Sequence, residues 1–332
     1  MCMKKTRIVR SNARQGIDCC IIEAVMKNRT ANLVEQQLIT GQGRKFGTFE
    51  VKDEKLIIKL ILPLFLRENN IQPFSWKDLG SLSAILSDCK TQIERVLGKV
   101  LDSKVKSVEV NITQKVSGNA TQSEVLNLLN HAFLTLKRDN VKYVSTCMSC
   151  RYKEVANTII FREPQYYVLK AYDKTKQQKR EQTEQKEASE TVPHGLLRVE
   201  IIMLDRVLMK LFGKKRTLSN VFSRKGFLLL LMEYKRIFCD EIRSKRIIPY
   251  LNYCVNHLYE SLCETDDPIS TIAKERELLP DREVLYRALK KWKEKKGESI
   301  HNLRREVNKY TEIYGLPQDT VMTIRDFRRA CG

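Results

Sequence analysis

The chain has 332 residues, of which 42% are hydrophobic and 8% aromatic, enough to bury a core and too much for a globally disordered chain. Lysine and arginine outnumber aspartate and glutamate by 60 to 40, and the resulting net charge of +20 points to polyanionic partners, most often nucleic acid. The longest apolar runs, 56–66 and 226–234, fall short of the roughly 20 residues of a spanning helix, and the opening MCMKKTRIVR turns polar too soon for a secretory signal.

These features exclude a membrane protein and predict a cytoplasmic location. The ten cysteines read accordingly as reduced thiols. Cys147 and Cys150 make a CxxC, but no second CxxC and no suitably spaced histidine pair completes a zinc site.

In chain order, residues 7–66 are mixed, with strand-like pieces such as GIDCCIIEAV and GTFEVKDEKLIIKLILP. VKSVEVNITQKV then alternates, with Val108, Val110 and Ile112 on one side and Ser107, Glu109, Asn111 and Thr113 on the other, which predicts a half-buried strand. QSEVLNLLNHAFLTLK has helical spacing and a polar start at Thr121 or Ser123. In NTIIFREPQYYVLKAYDK a turn at Pro164 precedes a strand that sends Tyr167, Leu169 and Ala171 one way. Tyr166, Val168, Lys170 and Tyr172 point the other way. GLLRVEIIM is a third strand, with Leu197, Val199 and Ile201 opposite Arg198, Glu200 and Ile202.

Between the last two strands, 175–192 has almost nothing to bury and is expected to be an exposed spacer. From Asp205 onward the patterns are long and helical, with stops expected at Gly213 and Gly297. The division expected is an α+β catalytic region over 1–204 and a helical region over 205–332.

Each of the three strands carries, on its polar side, a group suited to phosphate chemistry. Glu109 and Glu200 are carboxylates that could hold Mg²⁺ or Mn²⁺, hard cations that take oxygen ligands. Tyr172 is a candidate nucleophile, its phenolate made accessible by Lys170, Lys174 and a divalent cation. Attack on a phosphodiester would leave a phosphotyrosine and a free hydroxyl. The plain alternative for the same residues is a solvated sheet face. For the nucleophile reading to hold, Glu109, Tyr172 and Glu200 must share one face of one sheet.

The blocks VKSVEVNITQKVSGNATQSEVLNLLNHAF, YYVLKAYDKTKQQK and GLLRVEIIMLDRVLMKLFG resemble, in order, those of the filamentous-phage replication initiators (the gene II protein) and related phage and plasmid proteins. In the third block Gly195, Leu196, Arg198, Glu200, Arg206, Leu208, Lys210, Phe212 and Gly213 are in step. The resemblance spans roughly 105–215 and matches Tyr172 to the family's nucleophile, Lys174 to the lysine after it, and Glu200 and Glu109 to its acidic strand positions.

Two features depart from the pattern. Glu109 stands where relatives commonly carry aspartate. The four histidines, 131, 194, 257 and 301, form no His-hydrophobic-His pair, so the metal would rest on carboxylates alone.

The resemblance implies an α+β fold of divergent nicking-endonuclease type, with an antiparallel-rich central sheet, flanking helices and a mainly helical C-terminal region. It also implies an initiator of rolling-circle replication that nicks one strand of a phage or plasmid origin. Its partners would be origin DNA and, in the bacterial host, a helicase and a replicative polymerase; no small-molecule substrate is expected. Arg198 and the basic helical residues Lys290, Lys291, Lys293, Arg304 and Arg305 are the expected DNA contacts. The rival is a DNA-binding protein that recognises an origin or represses transcription without cleaving.

Overall fold

Segments that alternate at period two assemble here into one sheet. The computed structural model describes residues 14–26, 32–67, 71–98, 100–116, 119–135, 144–146, 158–185, 194–214, 216–265, 267–276 and 279–330. The strands are β1 (Arg14–Met26), β2 (Leu33–Ile39), β3 (Lys45–Lys52), β4 (Lys55–Ile61), β5 (Val100–Lys115), β6 (Val144–Thr146), β7 (Thr158–Glu163), β8 (Tyr167–Asp173) and β9 (Leu196–Met203). They form a nine-stranded sheet in the order β2-β3-β4-β1-β5-β9-β8-β7-β6, with every described pair antiparallel.

The three strands singled out by their alternation are therefore neighbours at the centre, β9 lying between β5 and β8. Tight connections set the register at two hairpins. Asp53 and Glu54, at φ 50° and 61°, join β3 to β4, and Gln165, at φ 66° after Pro164, turns β7 into β8.

Helices flank the sheet. They comprise α1 (Leu62–Leu66), α2 (Leu82–Leu97) after a 3₁₀ turn at Trp76–Ser81, α3 (Gln122–Thr135) and α4 (Lys174–Gln185). There follow α5 (Asp205–Phe212), α6 (Leu218–Val221) and α7 (Arg224–Arg236), which continues through a π-helical stretch, Ile237–Ile247, into α8 (Ile248–Cys263). The chain ends with α9 (Pro268–Glu275), α10 (Arg282–Lys296), α11 (Leu303–Tyr314) and α12 (Thr320–Ala330).

The expected start of α3 is a capping box: the Thr121 amide donates to Glu124 Oε2 at 2.7 Å and the Glu124 amide to Thr121 Oγ1 at 3.2 Å. Gly213 and Gly297 end α5 and α10 at φ 69° and 71°. The fold class is thus an antiparallel α+β sheet with flanking helices, followed by a mainly helical C-terminal region.

Val108, Val110, Ile112, Leu169, Val199 and Ile201 point into an apolar core that runs on into the helices. α3 lies on β7 and β8 and touches α8 and α12, while Phe133 stacks on Phe161 with centroids 4.7 Å apart. The polar side of β5 differs from expectation. Ser107, Asn111 and Thr113 are buried there, and Glu109 alone of that row is half-buried and lines a cleft.

The spacer differs as well. Its first turn is buried at Thr175 and Gln178, and the Leu196 amide donates to Thr175 Oγ1 at 3.1 Å, which ties the start of α4 to β9. Lys176, Lys179 and Arg180 are exposed. Side chains 181–193 lie outside the described residues, as do Cys147 and Cys150.

Candidate active site

Register brings the polar side chains of the three central strands into rows. Asn111, Glu200 and Lys170 face one another across β5, β9 and β8; Thr113, Arg198 and Tyr172 form the next row. Opposed residues of an antiparallel pair share a face, so Glu109, Tyr172 and Glu200 lie on one face of the sheet.

The same face receives an acid from β1. Between the pairs Ile17↔Val110 and Cys19↔Glu109 the register slips by one residue, a bulge that leaves Asp18 without a cross-strand partner. One carboxylate oxygen each of Asp18, Glu109 and Glu200 lie within 4.8 Å of one another.

Arg198 anchors this cluster from below. Its side chain is fully enclosed: Nη1 pairs with Asp18 Oδ2, Nε donates to Thr113 Oγ1 at 2.6 Å and Nη2 to the Ile71 carbonyl at 3.0 Å. The Ile71 carbonyl reaches it because segment 71–74 lies directly on β1, where Ile17 and Phe74 exchange backbone hydrogen bonds of 2.9 Å. Only glycine permits that approach, since a Cβ at Gly16 would come within 2.3 Å of the Phe74 carbonyl oxygen. Arg198 therefore does not take the DNA-contact role expected of it. A guanidinium buried against Asp18 and Thr113 holds the carboxylates in place and cannot reach a phosphate.

Tyr172 donates its hydroxyl hydrogen bond to Glu200 Oε1. Burial and the adjacent Glu200 push the phenol well above its ordinary pKa. Burial and Glu200 outweigh the positive charges around it. Lys170 Nζ lies 3.0 Å from Glu109 Oε2 and 3.6 Å from Glu200 Oε2. Lys174 is buried, donates to Gln177 Oε1 at 3.0 Å, and sits 6.0 Å from the centre of the Tyr172 ring.

Glu200 is the perturbed acid of the group. Burial, followed by repulsion from Glu109 and Asp18, raises it to about 8, with Lys170 and Arg198 opposing the rise. Burial likewise raises Asp18 despite the Arg198 guanidinium.

These groups floor an open cleft of about 510 Å³, and Lys176 and Arg180 stand on its wall one helical turn apart on α4. The cleft is wide enough for a nucleotide-sized group. The Tyr172 hydroxyl points at Glu200, so this carboxylate in its ionised form can take the phenolic proton as the oxygen attacks.

The residues present fit a hard divalent cation. Asp18, Glu109 and Glu200 bring three carboxylates to one point and supply only oxygen donors, the ligand type such an ion takes.

The competing tyrosines separate clearly. Tyr167 is in the apolar core, 6.2 Å from Phe161, and burial pushes its phenol far up. Tyr166 is 45% exposed and stacks under Arg206, 5.4 Å from its ring centre.

The basic residues expected on DNA divide in a different way. Lys293 is tied to Glu306 at 3.1 Å and Glu298 at 3.4 Å, and Lys290 lies 3.6 Å from Glu294. Lys291 sits 4.1 Å from the centre of the Tyr259 ring, whereas Arg304 and Arg305 are exposed on α11.

No described helix is long and apolar enough to cross a membrane. No family model and no curated protein matches the chain. Among solved structures it is similar to a rolling circle replication initiator protein from Geobacillus stearothermophilus, with 11% identity, 60% of this chain and 79% of that one covered, and a TM-score of 0.27.

Proposed function

We propose that this protein initiates rolling-circle replication: it binds a phage or plasmid origin and nicks one strand with Tyr172 as nucleophile. The observation that carries the reading is the convergence of Tyr172 with Asp18, Glu109 and Glu200 in one cleft, the phenol hydrogen-bonded to Glu200.

In the proposed step the bond from Tyr172 Oη to phosphorus forms while the bond from phosphorus to the 3′ oxygen breaks. The phenolic proton passes to Glu200, and the departing 3′ oxygen takes a proton from water. Tyr172 then holds the 5′ phosphate and the free 3′ hydroxyl is left to prime synthesis. Asp18, Glu109 and Glu200 would hold Mg²⁺ or Mn²⁺, which supplies Lewis-acid polarisation of a phosphate oxygen and charge neutralisation. Arg198 fixes Asp18, and Lys176 and Arg180 on the wall attract the strand. Much of the +20 charge serves phosphate contacts without reading sequence.

The test is incubation with a supercoiled plasmid that carries the replicon's origin and is internally labelled in its phosphates, plus Mg²⁺ or Mn²⁺. Relaxed circles with protein linked to the 5′ end are expected. Tight origin binding with no relaxation and no linked protein would sink the nicking reading and leave a non-cleaving origin binder.

A further inference from the structure

Lys170 occupies a place that the proposed nicking site alone does not explain. Its ammonium bridges Glu109 Oε2 and Glu200 Oε2, at 3.0 and 3.6 Å, two of the three carboxylates assigned to the divalent cation. An ammonium on these oxygens competes with a metal ion for them. The other two positive groups of the cluster, Arg198 and Lys174, are buried to the last atom, whereas the Lys170 side chain is 30% exposed and opens onto the cleft. Lys170 is thus the one that can leave.

Resting on the metal reading of the triad, we infer that Lys170 is a displaceable counter-ion, which holds Glu109 and Glu200 together without metal and swings into the cleft when a divalent cation enters. There its ammonium joins Lys176 and Arg180 against the phosphates of a bound strand. Two consequences follow by linkage. Lysine and cation compete for the carboxylates, so the ammonium lowers metal affinity and guards the site against weak binding. A cation that frees the lysine also adds one phosphate contact, so metal and single-stranded polyanion strengthen one another's binding.

The experiment measures Mn²⁺ affinity of the full chain by electron paramagnetic resonance, comparing wild type with Lys170→Met and Lys170→Arg, each checked for native circular dichroism. Removing the competing charge in Lys170→Met is expected to tighten Mn²⁺ binding by about tenfold or more, while Lys170→Arg stays near wild type. A second arm follows oligo(dT) binding against salt, with and without Mn²⁺. The Mn²⁺-induced steepening of the salt slope should be smaller in Lys170→Met by about 0.7, the share of one phosphate contact on a single strand.

Equal Mn²⁺ affinity in wild type and Lys170→Met would overturn the counter-ion inference and leave the metal reading standing. If neither protein binds Mn²⁺, or if Glu109→Gln binds it as well as wild type, the metal reading falls and this inference with it.

Discussion

The two faces of β5, β9 and β8 are built from opposite materials, one sealed under helices and the other largely buried but opening onto the cleft at Glu109 and Lys170. On one, Val110, Ile201 and Leu169 line up across the sheet under helices and satisfy nothing but packing. On the other, Asn111, Glu200 and Lys170 line up, flanked by Arg198, Asp18 and Tyr172, and each polar group depends on a particular partner. An apolar face tolerates a lost methyl in proportion to the cavity left behind. A buried charged face does not scale that way, because removing one member strands the others without water. The polar face is therefore held together by specific pairs and is the expensive one to keep.

The largest effect that separates the faces is chemical. Tyr172→Phe is expected to fold, to bind origin DNA normally and to form no protein–DNA adduct, read as the absence of labelled protein on a denaturing gel. Tyr167→Phe, one face over on the same strand, should nick at close to the normal rate. An adduct that survives in Tyr172→Phe but disappears in Tyr166→Phe would move the nucleophile to Tyr166 and overturn the Tyr172 reading.

The next effect is on stability. Asp18→Ala takes the nearest carboxylate from the enclosed Arg198 and leaves Glu200 Oε1 at 3.9 Å, and loss of one partner from a buried pair costs about 3–5 kcal/mol. Urea unfolding should show a drop of that size. Ile201→Ala on the apolar face should cost about 2–5 kcal/mol through its cavity. The two differ in what rescues them. Asp18→Asn, which keeps an acceptor for Arg198, should recover part of the stability but not metal-dependent nicking. Full stability in Asp18→Ala would show that the Arg198 pair does not hold the face.

How far the sequence foretold these faces follows from period and from its breaks. Alternation assigned each side chain of 107–113, 167–172 and 197–202 to its face, because a strand side chain has only two directions to point. It did not say that the polar side is largely buried, since that burial depends on segment 71–74 closing over Arg198, a contact between residues far apart in sequence. Asp18 escaped for a different reason. It sits in a bulge, where the period of two slips and a lone acid between Ile17 and Cys19 looks like an ordinary interruption. Its signal was the acid itself, in the strand-like run GIDCCIIEAV, but only the slipped register turns it toward Glu109. Charge signs alone likewise marked Arg198 as a DNA contact, although its partners place it in the core.

The smallest expected effects distinguish the cleft from the C-terminal helices as DNA-contacting surfaces. Arg304 and Arg305 are exposed, so if α11 touches the duplex, Arg304→Ala with Arg305→Ala should lower the slope of log affinity against log salt by about 1 for each phosphate no longer neutralised. Lys293 is held by Glu306 and Glu298 between α10 and α11, so Lys293→Ala should leave the salt slope unchanged and cost at most about 1 kcal/mol, the range of partly exposed ion pairs. Fluorescence anisotropy with origin duplex over a salt series reads both. A slope that falls for Lys293→Ala and not for the arginine pair would mean that the ion pairs of α10 open on binding, and the DNA-facing side of this region would be α10. If neither variant changes the slope while Lys176→Ala with Arg180→Ala does, the phosphate contacts belong to the cleft, and the helices are structural cover for the apolar face of the sheet.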